Sequence, residues 1–303
     1  MKTFIKSVSL FFLSFTLLLG VTSCSKEKGE MSVKMTDAAA DDENIKGVFV
    51  TVANVYVDGD RVKNFEPKTI EISAYHDGEV YALFSDEIKA ENYSEISLEF
   101  DYEKDADGNE PGTYVLKSDN SKQKMNASES TVDVAADVTV SEGNTSEIVI
   151  DMDLRKSIKR NNDGTYAFVS GSEFTSSFRA VESEKSGKVR GKVQGNTSGD
   201  EKVVVYAYRK GTFSSSESQA SASSNTRFRG AVTSSEVDAS GDYTLAFLEE
   251  GNYEIHVVKY QVNSNSQVMF DSEVQVQSLI SGLLLSDISV SANSSVALDL
   301  NLL

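Results

Sequence analysis

Val48-Phe49-Val50-Thr51-Val52-Ala53 places a valine at every second position. Residues two apart in an extended chain point to the same side, so Val48, Val50 and Val52 make one apolar face and Phe49, Thr51 and Ala53 the other. A helix would scatter these valines around its axis. The same period returns in Ile70 and Ile72, in Ile96, Leu98 and Phe100, in Val132 and Val134, in Val138 and Val140, and in Ile148, Ile150 and Met152. Turn formers separate these runs: Asp58-Gly59-Asp60, His76-Asp77-Gly78, Asp107-Gly108-Asn109, Glu142-Gly143-Asn144 and Asn162-Asp163-Gly164. Only residues 37–46 and 85–92 read as able to form a helical turn. The expected fold is all-β, with two antiparallel β-sandwich domains in tandem.

The N-terminus fixes location. Lys2 and Lys6 precede an apolar run, Val8 to Val21, that is too short to span a bilayer, and Val21-Thr22-Ser23 leads into Cys24, the one cysteine of the chain. This is the pattern of a lipoprotein signal. Residues 1–23 are expected to be removed and Cys24 to carry lipid as a thioether, so that no thiol remains for disulfide or redox chemistry. Acyl chains, at about 0.8 kcal/mol per buried methylene, hold a protein on a membrane without a spanning helix. Residues 24–30, with Ser25-Lys26-Glu27-Lys28-Gly29-Glu30 after the cysteine, read as a charged tether. By resemblance to Gram-negative lipoproteins, Ser25 in place of aspartate implies the outer membrane rather than retention at the inner one.

Loss of the leader deletes two lysines and no acid, so the net charge of −18 becomes −20. That field repels phosphate, which argues against nucleic acid as a partner, since such binding needs clustered Lys and Arg to release counterions. The remaining chain is long enough for two domains, each with its own core. Ser183-Glu184-Lys185-Ser186-Gly187 is small and polar between periodic segments, which places a linker at 183–187 between a domain at 31–182 and a second at 188–303. After it the strand pattern restarts with Lys188 to Val193, Val203 to Tyr208, Ser240 to Leu245 and Glu249 to Ile255, and ends on Val296, Leu298 and Leu300. Residues 214–226 lack periodicity and read as a long mobile loop.

Two resemblances follow from these blocks. Val33-Lys34-Met35-Thr36-Asp37-Ala38-Ala39, the Val48 to Val57 strand, Ile150-Asp151-Met152-Asp153-Leu154-Arg155-Lys156-Ser157-Ile158 and Phe178-Arg179-Ala180-Val181 together resemble the bacterial lipoprotein family of the domain of unknown function 4382, over about residues 31–182. The chain departs from that pattern at Ala39-Ala40, where a proline is common, and at Phe174-Thr175, where a Leu-Pro step is common. Gly187 to Val193, Gly241-Asp242-Tyr243-Thr244-Leu245 and Glu250-Gly251-Asn252-Tyr253-Glu254-Ile255 are similar to carboxypeptidase-regulatory-like modules of transthyretin-like fold, over about residues 187–303. That resemblance implies a non-catalytic accessory sandwich. Neither family brings an assigned enzymatic activity.

Candidate chemistry is sparse. His76 and His256 are the two histidines, so zinc held by nitrogen and sulfur has almost no material. His76 sits in a turn, and His256 falls on the strand face opposite Ile255 and Val257, facing solvent or a hydrogen-bond partner. No Gly-x-Ser-x-Gly elbow supplies a serine nucleophile. Asp151 and Asp153 share a strand face that Arg155 continues, which reads as a charge ladder. The best cation candidate is the acidic loop with Asp105, Asp107 and Asn109 as calcium ligands, although Glu110 stands where an EF-hand loop needs glycine. The chain therefore reads as a non-enzymatic envelope lipoprotein with a structural or binding role toward glycan or another envelope protein. A fimbria-like subunit that assembles by strand addition through Val296, Leu298 and Leu300 is the alternative, and a glycan hydrolase using paired carboxylates a remote one.

Overall fold

The computed structural model describes residues 27–38, 44–195, 200–221, 226–263 and 268–303. Cys24, the leader and the first residues of the tether lie outside the described residues. The fold is mostly strand, in two stacked-sheet modules, as the period of two predicts.

In the N-terminal module one sheet runs in the order Phe178–Glu182, Thr145–Met152, Lys28–Thr36, Tyr81–Lys89. Its central pair, Lys28–Thr36 with Thr145–Met152, is parallel, while the outer pairings are antiparallel. The facing sheet is built around Ile45–Val57, flanked by Asn92–Asp101 and Tyr114–Lys117. Met31, Val33 and Met35 from the first sheet and Val48, Val50 and Val52 from the second are fully buried in one core. A bulge between Val52 and Asn54 inserts one residue, which flips the alternation. Val55 and Val57 consequently stay on the core face despite their odd numbers.

The C-terminal module repeats the plan. One sheet holds Asp242–Glu249, Ser186–Gln194, Leu300–Leu302 and Val276–Ser278 in that order, with Ser295–Ala297 also pairing Ser186–Gln194. The other holds Thr233–Glu236, Glu201–Arg209, Gly251–Val262 and Val268–Val274, with Ile288–Val290 on Gly251–Val262. The chain's last segment pairs parallel to Ser186–Gln194, and Leu298 and Leu300 are fully buried. Gly191 permits this, since a Cβ there would stand 2.0 Å from the Leu298 carbonyl oxygen. The segment proposed as a donor for a neighbour is thus consumed within its own module.

Four sequence expectations are corrected. The tether is shorter than 24–30, because strand pairing begins at Lys28, where Gly143 N–H donates to the Lys28 carbonyl and Ala90 N–H to that of Glu27. Of the linker 183–187, Ser183–Lys185 form one 3-10 turn and Ser186 already belongs to the next strand. Residues 85–92 are not helical: they lie in and between Tyr81–Lys89 and Asn92–Asp101, where pairing overrides local propensity. The segment 214–226 packs, in its described part, as a strap. Glu201–Arg209 is buried on both faces, and its outer face, with Val204, Tyr206 and Tyr208, is covered by Phe213, Phe228 and Ala231, which flank that segment and complete the strap. Glu217 pins it, accepting from Gly230 N–H at 2.7 Å and from the Tyr208 hydroxyl at 3.3 Å.

Candidate functional site: the seam between the modules

Chemistry-bearing residues gather where the modules meet. Asp151 stands opposite Arg179 on the antiparallel pair Thr145–Met152 and Phe178–Glu182. Arg179 Nε–H donates to Asp151 Oδ2 at 2.9 Å, and its outer nitrogens reach the other module, donating to the Phe247 carbonyl at 2.6 Å and the Ala246 carbonyl at 3.4 Å. Asp151 is almost wholly buried, and burial pushes its carboxyl up against the opposing pull of Arg179. The carbonyls that receive Arg179 lie on a bulge, where the register with Ser186–Gln194 breaks and Phe247 adopts a left-handed φ of 52°. That conformation is rare for an aromatic residue and costs about 1–3 kcal/mol, so the surrounding contacts must hold it.

Other bonds run beside this clamp. Lys156 Nζ pairs with Asp153 at 3.0 Å and donates to the Ala231 carbonyl at 2.6 Å. Arg229 pairs with Glu173 at 2.7 Å, and the Arg155 guanidinium lies 5.2 Å from the Tyr206 ring centre. The Asp77 carboxylate accepts from the buried Ser235 hydroxyl at 2.6 Å and lies 2.7 Å from His76 Nδ1. That hydrogen bond, with the charges of Asp77, Glu236 and Glu79, raises the His76 pKa, against partial desolvation. An adjoining cleft of about 370 Å³ is lined by residues of both modules, among them Val138, Ala180, Glu182, Arg209 and Glu249.

Asp151, Asp153 and Arg155 do not form a ladder on one face. Asp153 caps the short helix Leu154–Ser157 by accepting from Lys156 N–H, which turns the chain before Arg155 and leaves Arg179 as the partner of Asp151. Asp37 accepts from Leu154 N–H at 2.9 Å. Burial, then the nearby carboxylates Asp153 and Asp151, drives its pKa well up. Asp37 Oδ2 and Asp151 Oδ1 are buried with no hydrogen-bond partner among the described residues.

The calcium candidates behave as loop structure. Asp105 Oδ1 accepts from the backbone N–H groups of Asp107 and Asn109, and the Asn109 side-chain amide donates to Asp105 as well. The Asn109 backbone bond holds the Asp105 carboxyl below its usual range. Among the described residues no group of three or more His, Cys, Asp or Glu is placed to hold a metal ion. His256 lies on the outer face as expected, 2.7 Å from Glu273 and stacked on Phe213. Sequence reasoning missed the roles of Arg179, Ser235 and Phe247. A charged residue inside the apolar run Phe178-Arg179-Ala180-Val181 was the one available signal.

Residues 28–170 match a family model. Its description is "Domain of unknown function (DUF4382)", and the match covers most of the N-terminal module but stops before Phe178–Glu182 and the whole C-terminal module. Among curated proteins none matches. Solved structures to which the chain is similar include the following. The Bacillus anthracis TIE protein is 12% identical, with 91% of this chain and 34% of that one covered at a TM-score of 0.19. A leucine-rich repeat protein from Bacteroides thetaiotaomicron is 14% identical, with coverages of 91% and 26% and a TM-score of 0.21. BcpA, the major pilin subunit of Bacillus cereus, is 8% identical, with coverages of 91% and 70% and a TM-score of 0.22. The chain thus spans about a third and about a quarter of the first two.

Proposed function

We propose that the protein is a non-catalytic lipoprotein of the bacterial outer membrane, anchored by lipid on Cys24, whose two β-modules act as one stiff spacer that presents a binding surface to glycan or another envelope protein. The observation that carries this reading is the Arg179 clamp, which ties a buried carboxylate of one module to backbone carbonyls of the other. A hinge between freely moving modules has no need of such a bond. Lipobox residues Val21-Thr22-Ser23-Cys24 support the anchor. With pairing under way at Lys28, the three residues Ser25 to Glu27 reach roughly 10 Å when extended, which keeps the turns at Lys89–Glu91 and Ser141–Asn144 next to the bilayer.

Palmitate labelling and membrane fractionation test the anchor: wild type is labelled and sediments with membranes, whereas Cys24→Ala is unlabelled and released. A labelled, membrane-bound Cys24→Ala protein sinks the reading. Glycan arrays and cross-linking in intact cells then identify the partner class, and turnover of any envelope polymer by the purified modules overturns the non-catalytic assignment.

A further inference from the structure

Ser186–Gln194 is an inner strand of its sheet, paired with Asp242–Glu249 on one side and with Ser295–Ala297 and Leu300–Leu302 on the other. Val189 is fully buried and Val193 packs on the same core, so the alternation turns Lys188, Arg190 and Lys192 outward, and all three are exposed. Residues two apart on a strand stand roughly 7 Å apart, which lines these cations up as one stripe. Edge strands often carry lysine to deter pairing, but this strand is paired on both sides and the stripe has no edge to guard. Like charges this close repel one another. Bases at three successive outward positions therefore cost stability, in a chain with 47 acids against 29 bases.

Lys192 is answered within its module, pairing with Asp242 at 2.7 Å while its backbone N–H donates to Asp299 Oδ1. Lys188 and Arg190 have no ion pair among the described residues. Their neighbours on the sheet are small: Arg190 stands between Thr244 and Ala297, and Lys188 beside Ser295. Such neighbours leave both cations accessible and supply no large apolar anchor of the kind that holds a protein partner. A cleft of about 200 Å³ opens beside Lys188, lined also by Asn293 and Ser294 and, at the seam, by Gly78 and Phe247. Phe247 is the residue that the Arg179 clamp holds at a left-handed φ, and strain of that kind gathers at binding sites. One ring is not the run of stacking platforms that a single-stranded nucleic acid uses.

We propose that this face binds an anionic glycan, a linear chain bearing carboxylate or phosphate groups, with Lys188 and Arg190 meeting its charges and the adjoining cleft taking a sugar unit. Charge complementarity names the occupant: two unanswered cations in line suit a polymer that carries anions along its length. This narrows the glycan reading above and depends on it. The negative charge of the whole chain does not forbid such binding, because salt screens exposed charges beyond about 8 Å at physiological ionic strength, and the stripe acts at contact.

The test titrates the mature chain carrying Cys24→Ser with three probes: oligogalacturonate, which carries carboxylates, its methyl ester, which has the same backbone without charge, and a phosphomannan fragment, which carries phosphates. Calorimetry reads affinity, and amide chemical shifts read the site. Lys188→Gln with Arg190→Gln removes the two unpaired cations from exposed positions, so the fold is kept, as circular dichroism checks. Lys63→Gln with Lys104→Gln removes the same charge from exposed positions of the N-terminal module. One or both anionic probes are expected to bind and to shift amides of Ser186–Gln194, which also tells carboxylate from phosphate, while the methyl ester does not bind. The first double variant should weaken binding about tenfold or more, as two lost ionic contacts imply, and the second should leave it unchanged. Equal binding of the methyl ester, or equal loss in both double variants, overturns the proposal while the glycan reading stands. Failure of all three probes overturns it as well, and the glycan reading falls with it only if the glycan array is also blank. Polyglutamate bound as tightly as oligogalacturonate would give the stripe to an acidic protein, which likewise overturns the proposal.

Discussion

Arg179 Nε–H meets Asp151 Oδ2 at 2.9 Å on adjacent strands, and both residues are largely withdrawn from solvent. Removing one member of such a pair leaves the other charge uncompensated. Asp151→Ala is expected to lower the stability of the N-terminal module by about 3–5 kcal/mol. Urea unfolding measures this, and a loss under about 1 kcal/mol would show that the pair carries little.

Asp37 offers a pH signature. Its folded pKa lies above its unfolded value, chiefly through burial, so the folded state holds a proton that the unfolded state has released. Stability therefore falls as pH rises from the unfolded pKa through the folded one, and the penalty is complete above it. Asp37→Asn keeps an acceptor for Leu154 N–H and removes the titration. Melting curves of the two proteins should coincide below the unfolded carboxylate range and separate in favour of Asn as pH rises; a constant offset at all pH refutes the assignment.

His76 works in the same sense, over the imidazole range. Its hydrogen bond to Asp77 raises its pKa, so its contribution is full below the unfolded imidazole value and is lost as pH climbs through the folded one. Because the ring is about half exposed, the effect should stay under about 1 kcal/mol. His76→Gln should reduce the difference in stability between mildly acidic and mildly alkaline solution, which calorimetry reads directly.

The strap over the C-terminal module is held by Phe228, whose side chain is 1% exposed between Tyr206 and Phe270. Phe228→Ala should cost about 3–5 kcal/mol. Limited proteolysis would show cleavage in the strap of the variant and not in wild type; equal resistance would mean that the strap is held elsewhere.

Truncation after Ser295 removes Leu298 and Leu300, both 0% exposed. The C-terminal module is expected to lose cooperative unfolding altogether, as seen by circular dichroism. A truncated chain that melts normally would return the terminal segment to the role of a donor strand.

The period of two in Val48-Val50-Val52 and Ile148-Ile150-Met152 was sufficient to predict a β-protein, because burial of one strand face leaves that imprint locally. The position of Cys24 behind its apolar run is likewise a property of adjacent residues. Gly108 and the acids at 105–109 are local too, and there Asp105 accepts from its own loop's backbone, a use that spacing alone does not distinguish from cation binding. Residues 214–226 misled for another reason, since a segment pinned by Glu217 and followed by the buried Phe228 needs no period of its own when the sheet beneath supplies the order.

The chain by itself determined strand content and net charge, which are read from the residues without their tertiary partners. Tertiary structure alone decided that Arg179, rather than Arg155, answers Asp151, and that the same guanidinium reaches the Phe247 carbonyl 68 residues further along. Those choices depend on where Asp153 ends a strand and on how the two modules meet, distances that no periodicity encodes.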